Sequence, residues 1–264
     1  MSQTKRGEAD QQLTGRHAVI SGGATGIGAA IADALAARGA SVTLIGRTEA
    51  RLKEKAASLP SALGLAVDVT DARAVTAGFA TAAKQFGPVA ILVNNAGFAA
   101  GRPFMETDLA LWNQTLQVNL TGAFLCAQAV LPDMAAAGWG RIVNIASTAG
   151  LIAYREVAAY VAAKHGLIGL TRALALEYAK KGVTVNAVCP GYTDTDMAKA
   201  AVDSIRAKTG VSEDEARAML AAKNPQRRLT TPAEVAATVA WLCEPGAAAM
   251  TGQSVAVCGG EVMT

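Results

Sequence analysis

Tyr160 and Lys164 are the residues of this chain with the clearest chemical use. Spaced four apart, they share one face of a helix. A free tyrosine ionises near pH ~10, too high for an efficient base at neutral pH. An ammonium group alongside favours the phenolate and is expected to bring that value down. Such a couple can pass a proton to or from the oxygen of a carbonyl or alcohol while hydride moves at carbon. Taken alone, the pair is also what an exposed helix face carries by chance.

A second feature lies near the start of the chain. Ser21-Gly22-Gly23-Ala24-Thr25-Gly26-Ile27-Gly28 follows a β-like run at 17–21 and opens a helical pattern at 26–38. Glycines let the backbone turn tightly and approach a pyrophosphate, and the helix start offers free N–H groups and positive partial charge. A glycine-rich stretch is in isolation no more than a tight turn. Its place between a first strand and a first helix is what favours a phosphate cradle.

The elements that must position these groups alternate along the chain. β-like runs at 41–45, 63–67, 89–93, 141–146, 183–188 and 254–257 are separated by helix-period segments at 48–57, 71–86, 108–137, 156–180 and 196–222. Pro132 is expected to break or kink the fourth helical segment, and Pro232 to open the last helix with Thr231 as its cap. The alternation predicts an α/β fold, a single doubly wound and mostly parallel seven-stranded sheet with helices on both faces. Residues 1–14 read as a polar tail and 15–264 as one domain. The charged segment 195–228 follows the sixth strand. It is either an ordinary surface helix pair or a mobile cover over a site at the strand ends.

Composition narrows the function. Of 264 residues, 52% are hydrophobic and the net charge is only +3, without a dense basic block. Nucleic-acid binding has no electrostatic support. The apolar runs are broken by charge or glycine before the length a membrane span needs, and the polar N-terminus has no apolar signal region. Cys126, Cys189, Cys243 and Cys258 lack paired spacing and sit in apolar stretches, as buried thiols of a reducing compartment would. A cytoplasmic protein is expected. The two histidines, His17 and His165, are too few for a multi-histidine metal site, and no metal is expected.

The glycine turn, Tyr160-x-x-x-Lys164 and Asn94-Asn95-Ala96-Gly97 together resemble the short-chain dehydrogenase/reductase family, over about residues 15–260. The resemblance implies a Rossmann-type domain and a nicotinamide dinucleotide. It also implies a catalytic role for Ser147, thirteen residues before Tyr160, as a hydrogen-bond donor to the substrate oxygen. Asn119, in Gln117-Val118-Asn119-Leu120, matches the family asparagine that disturbs its helix and holds a water extending the proton relay from Lys164. Lys164 would also hold the nicotinamide ribose. Otherwise Ser147 reads as a cap and Asn119 as a polar residue satisfying a helix irregularity.

Further cofactor contacts follow from the same resemblance. Asp68 and Val69 match an adenine-contacting pair, with an Asx turn as the alternative. Asn95, Ala96 and Gly97 match the turn that lies against the cofactor. Pro190, Gly191 and Thr195 match the segment that orients the nicotinamide, while Thr193 stands where that segment often has Val or Ile and would act through its backbone. Gly46 stands where the NAD-selective members carry Asp, and Arg47 and Thr48 follow it. A 2′-phosphate is an anion that Arg47 can grip and a carboxylate would repel. NADP(H) is therefore expected over NAD(H), the bland reading being a solvated arginine.

Several segments look most like 3-oxoacyl thioester reductases and aromatic polyketide ketoreductases. The implied activity is reversible reduction of a ketone, a 3-oxoacyl thioester first, by a homotetramer built on the long helices. An NAD(H)-dependent hydroxyacyl-CoA or small-alcohol dehydrogenase is the alternative. A dinucleotide-binding regulator without turnover is a minor one.

Overall fold

The computed structural model describes residues 11–263. Its strands are β1 (His17–Ser21), β2 (Ser41–Gly46), β3 (Ala62–Ala66), β4 (Ile91–Asn94), β5 (Gly140–Ile145), β6 (Val183–Pro190) and β7 (Ser254–Val257). They form one seven-stranded sheet in the order β3-β2-β1-β4-β5-β6-β7. Every pairing is parallel, a sharper result than the mostly parallel sheet expected. The order reverses between β1 and β4, so the crevice at their carboxyl ends is where such a sheet takes a ligand.

The helices are α1 (Gly26–Ala36), α2 (Glu49–Ala57), α3 (Ala72–Phe86), α4 (Leu109–Leu116), α5 (Gly122–Ala137), α6 (Ala158–Tyr178), α7 (Asp196–Thr209), α8 (Glu213–Ala221) and α9 (Pro232–Cys243). Alternate strand residues feed two cores, as the two-residue period of a strand requires. Ile20, Val42, Leu44, Val93 and Val143 pack against Ile31 and Leu35 of α1 and Val235 and Val239 of α9. Val19, Ile45, Leu92, Ile142 and Val185 face the other way, onto Phe79 of α3, Val130 and Met134 of α5, and Ala175 of α6.

Side chains close the N-termini of α3, α4, α8 and α9. Asp71 and Asp108 accept from first-turn N–H groups, and Ser212 and Thr231 form capping boxes with Glu215 and Glu234. Thr25 and Thr195, ahead of α1 and α7, make no such bond.

Two expectations for 108–137 change. The helix does not break at Pro132, which sits inside α5. The interruption falls earlier, as a π turn at Gln117–Thr121 between α4 and α5. The composite helix Leu109–Ala137 has mean hydropathy 1.3 and is, by length and composition, able to cross a bilayer. Gly122 interrupts the apolar run of this helix, as expected. Cys126, Val130 and Met134 lie in the core beneath it, which explains its apolar character without a membrane. The segment 196–222 is two helices, α7 and α8, joined by a turn at Gly210 with φ +74°. They share a small apolar cluster that includes Val202, Ala216 and Leu220.

Candidate active site

The glycine turn is closed by contacts that leave no room for side chains. Gly22 and Gly26 have φ of +63° and +52°, and a Cβ on Gly28 would stand 2.1 Å from the Gly22 carbonyl oxygen. Only glycine meets these constraints. Ser21, expected as a cofactor contact, is 2% exposed. Its Oγ accepts from the backbone N–H groups of Asn95 and Ala96, both at 2.9 Å. That hydroxyl is spent on stapling the end of β1 to the end of β4. The Asn95 amide donates back to the carbonyls of Ser21 (2.9 Å) and Gly22 (3.1 Å).

The turn opens into a cleft of about 750 Å³ lined by Thr25, Gly26, Asp194, Thr195, Lys199 and Arg217, among others. Gly26 would bring a Cβ to 3.1 Å from the Thr195 methyl, so any side chain there would crowd the cleft. The first turn of α1 carries no acidic residue. Uncapped N–H groups, a side-chain-free turn and a cleft beside it fit the pyrophosphate of a dinucleotide. Ile27 is partly buried against the adjoining core.

At the adenosine end, Arg47 and Thr48 are exposed just past β2. Asp68 takes the turn geometry held open as its alternative. Its Oδ1 accepts from the backbone N–H and hydroxyl of Thr70 at 2.9 and 2.8 Å. Those bonds, with the nearby Arg47 charge, hold its carboxyl below the usual range. Val69 is buried, and a Cβ on Gly122 would lie 2.8 Å from it.

At the other end, Pro190 finishes β6. Gly191 is packed so closely that a Cβ would stand 2.9 Å from a carboxylate oxygen of Glu261. The Thr193 hydroxyl donates to the Gly191 carbonyl, and the Thr195 hydroxyl to the Thr193 carbonyl.

The four expected catalytic residues arrive from β5, α6 and the π turn. Ser147, two residues past the end of β5, caps a short 3-10 turn, its Oγ accepting from Ala149 N–H at 3.1 Å. Tyr160 is half-buried and Lys164 buried, both on α6. The Lys164 ammonium donates to the Ile145 carbonyl at 2.8 Å and sits 5.5 Å from the centre of the Tyr160 ring.

Burial pushes the Tyr160 hydroxyl up to about 12, with Ser147 pulling weakly the other way. Burial also drives Lys164 down to about 8. The expectation that Lys164 lowers Tyr160 is therefore not met. Removal from water moves both groups toward their neutral forms and is the largest cause of each shift.

Asn119 is 1% exposed. Its amide donates to the Phe98 carbonyl (2.7 Å) and the Thr115 carbonyl (2.9 Å), while Oδ1 accepts from Phe98 N–H (3.3 Å). Taking the carbonyl four residues back is what a helix-disturbing side chain does, and the π turn lies there. Both amide hydrogens are thus spent within the chain. Gly97 lies beside it, a Cβ there falling 3.4 Å from Asn119 Oδ1.

Three groups of residues escaped the sequence reading. Asn94 donates to Asn144 (2.8 Å) and Asn144 to Thr171 (2.9 Å), a buried polar chain joining β4, β5 and α6. The Tyr154 hydroxyl donates to the Glu261 carboxylate (2.7 Å) and can accept from the Thr148 hydroxyl (2.8 Å), tying the loop before α6 to the end of the chain. Arg217 of α8 pairs with Asp194 at 2.5 Å. The asparagines were the one visible signal, being polar residues inside strands.

The four cysteines are buried and free. Burial raises the thiols of Cys126, Cys189 and Cys243, which makes them poor nucleophiles. Among the described residues no group of acidic, histidine or cysteine side chains could hold a metal.

The parallel sheet, its switch point and the Ser-Tyr-Lys grouping define a dinucleotide-dependent oxidoreductase. A family model described as enoyl-(acyl carrier protein) reductase matches residues 22–261. A putative ketoacyl reductase of Streptomyces coelicolor is 41% identical over 249 residues, covering 92% of this chain and 95% of that protein. The 3-oxoacyl-(acyl-carrier-protein) reductase of Vibrio cholerae is 38% identical over 252 residues, covering 95% and 99%. A crystal structure of a variant actinorhodin polyketide ketoreductase with NADPH superimposes with a TM-score of 0.91 at 40% identity, covering 95% and 98%. The chain belongs to the short-chain dehydrogenase/reductase family, whose members bind NAD(P). It is an oxidoreductase that interconverts ketones and alcohols.

Proposed function

We propose that this enzyme reduces a ketone with NADPH, a 3-oxoacyl thioester or related ketone, with Tyr160 giving the proton. The observation that carries the reading is the placement of Tyr160 on α6, with the Lys164 ammonium 5.5 Å from its ring centre and anchored on the Ile145 carbonyl at 2.8 Å. Burial also raises the Tyr160 hydroxyl to about 12. At neutral pH it stays protonated, ready to donate to an alkoxide, which is far more basic. The nicotinamide supplies the hydride when bound. Ser147 hydrogen-bonds the carbonyl oxygen where negative charge develops. Lys164, anchored on Ile145, holds the nicotinamide ribose and places positive charge beside Tyr160. Asn119 fixes the π turn and the neighbouring Phe98 backbone.

For the cofactor, Gly22, Thr25, Gly26, Ile27 and Gly28 form the pyrophosphate turn, and Asn95, Ala96 and Gly97 the wall beside it. Val69 and Asp68 border the adenine, and Gly191, Thr193 and Thr195 the nicotinamide. Preference for NADPH rests on Gly46 and Arg47: no carboxylate stands at the end of β2 to repel a 2′-phosphate, and an exposed guanidinium does stand there. The relatives that reduce oxoacyl groups, and the neighbour crystallised with NADPH, support the same choice.

Homotetramer formation on the long helices is supported by exposed Phe124 on α5 and Leu176 on α6. The site is taken to work in the cytoplasm, where NADPH and thiols stay reduced. The test is the nicotinamide absorbance, followed with NADPH and NADH across oxoacyl thioesters, cyclic ketones and small diketones. Turnover of a thioester with NADPH at least tenfold more efficient than with NADH is expected. Equal or better efficiency with NADH overturns the cofactor assignment, and inertness of every ketone overturns the reductase assignment.

A further inference from the structure

The cleft beside the glycine turn has an uneven charge balance. Its carboxylates are Asp194, Asp196 and Glu213, and its cations are Lys199 and Arg217. A pyrophosphate seated on the α1 N-terminus would bring two more negative charges into that company. Asp196 lies in the first turn of α7, where the helix dipole tolerates it. Glu213 stands 4.0 Å from Arg206. Asp194 is the carboxylate left to Arg217, whose Nη2 donates to it at 2.5 Å. That one bond leaves most of the guanidinium's donors unassigned, and a planar fork can serve a carboxylate and a phosphate together.

The ion pair also spans two separate parts of the molecule. Asp194 lies in the loop between β6 and α7, beside Thr195, whose methyl a Cβ on Gly26 of the phosphate turn would meet at 3.1 Å. Arg217 lies on α8, in the segment 195–228. Both side chains are about half exposed, 51% and 45%. A pair in that setting is weakly held and cheap to remake.

We propose that Arg217 is a further cofactor-binding residue: held toward the cleft by Asp194, its guanidinium also takes a pyrophosphate oxygen and so draws α8 onto the bound dinucleotide. Asp194 is a positioning residue, and Lys199 adds charge on the same wall. This rests on the dinucleotide reading of the cleft, and the experiment separates the two.

NADPH and adenosine 2′-monophosphate, which lacks the pyrophosphate, are titrated into the full chain and into Arg217→Ala and Arg217→Gln, the latter keeping side-chain length. Losing a charge-assisted hydrogen bond should raise the dissociation constant for NADPH about tenfold in both variants. Binding of adenosine 2′-monophosphate should change less than about twofold, since the adenosine end keeps Arg47. Trypsin gives the second readout: NADPH should slow cleavage after Arg206 and Lys208 in the parent chain but not in the variants. Asp194→Asn should weaken NADPH binding by a smaller factor. Unchanged NADPH affinity with unchanged protection overturns the proposal, and so does an equal loss on the fragment. Failure of the parent chain to bind NADPH would instead overturn the cofactor assignment of the cleft.

Discussion

The glycine turn and the α7–α8 segment border the same cleft and are built in opposite ways. Around the turn, backbone packs against backbone. A Cβ on Gly28 would clash with the Gly22 carbonyl oxygen at 2.1 Å, and Ser21 and Asn95 staple two strand ends with hydrogen bonds near 2.9 Å. The α7–α8 segment has a modest apolar cluster of its own and is tied down by half-exposed ion pairs, Arg217–Asp194 at one side and Lys208–Glu156 at the other. Glu156 and Arg227, the non-glycine residues with positive φ among those described, stand at its borders. Strained backbone of this kind gathers at sites that must move or clamp. A rigid half can position hydride and proton transfer for any member of the family, while a lightly held half can be remade for different ketones.

The contrast can be broken most severely at Tyr160. Tyr160→Phe should cut turnover by about 10³-fold or more while NADPH affinity stays within about twofold, read by steady-state kinetics beside cofactor titration. A variant that keeps a tenth of the rate would remove Tyr160 from the proton path. Next comes Gly28→Ala. The added methyl must displace the Gly22 carbonyl, costing about 1–3 kcal/mol in denaturant unfolding and abolishing measurable cofactor binding. The mild outcome, full affinity with native stability, would mean the turn is looser than its contacts imply.

The pH dependence sharpens the same comparison from the catalytic side. Lys164 is held near 8, so its charge is present below that pH and lost above it. Tyr160 near 12 remains protonated throughout that range. In the reduction direction kcat/KM should therefore fall as pH rises through about 8, and a profile flat to pH ~10 would show that the Lys164 charge is not needed. Linkage runs in the corresponding direction: a lysine depressed on folding disfavours the folded state below about 8, so stability should rise with pH from there toward ~10.4, before tyrosine ionisation reverses it.

The smallest effect belongs to the α7–α8 segment. Lys208→Ala removes an ion pair whose side chains are 63% and 50% exposed, and should change unfolding free energy by no more than about 0.5 kcal/mol. A loss several times larger would make that segment part of the rigid half.

Much of this was written locally in the chain. Alternating apolar runs give the sheet, and Thr231-Pro232 with Glu234 gives a helix start that three residues suffice to specify. The glycine turn is legible because side-chain-free positions are scarce and purposeful. What stayed hidden depends on distance or burial. Asn94 and Asn144 are fifty residues apart and meet only when β4 and β5 pair. Ser21 looked like a cofactor ligand because its hydroxyl sits in the right place, and only the β4 turn folding onto it shows that the hydroxyl is spent. The direction of the Tyr160 shift was misread for a related reason. Spacing reveals the neighbouring charge, but not how far both groups have left water.

The π turn at Gln117–Thr121 has a consequence for insertions and deletions. An α-helix advances its side chains by a fixed rotation per residue, and one wide turn adds a residue without adding a full turn of rise. Helix α4 and helix α5 thus face the protein in different phases, Thr115 inward on one and Cys126, Val130 and Met134 inward on the other. Removing a single residue between Gln117 and Thr121 would erase that offset and turn the whole apolar face of α5 by about 100°. The same deletion in the linker between α7 and α8 would shorten a surface connection and leave the sheet untouched. In a library of single-residue deletions, the middle of a long, regular-looking helix should be among the least forgiving places in the chain.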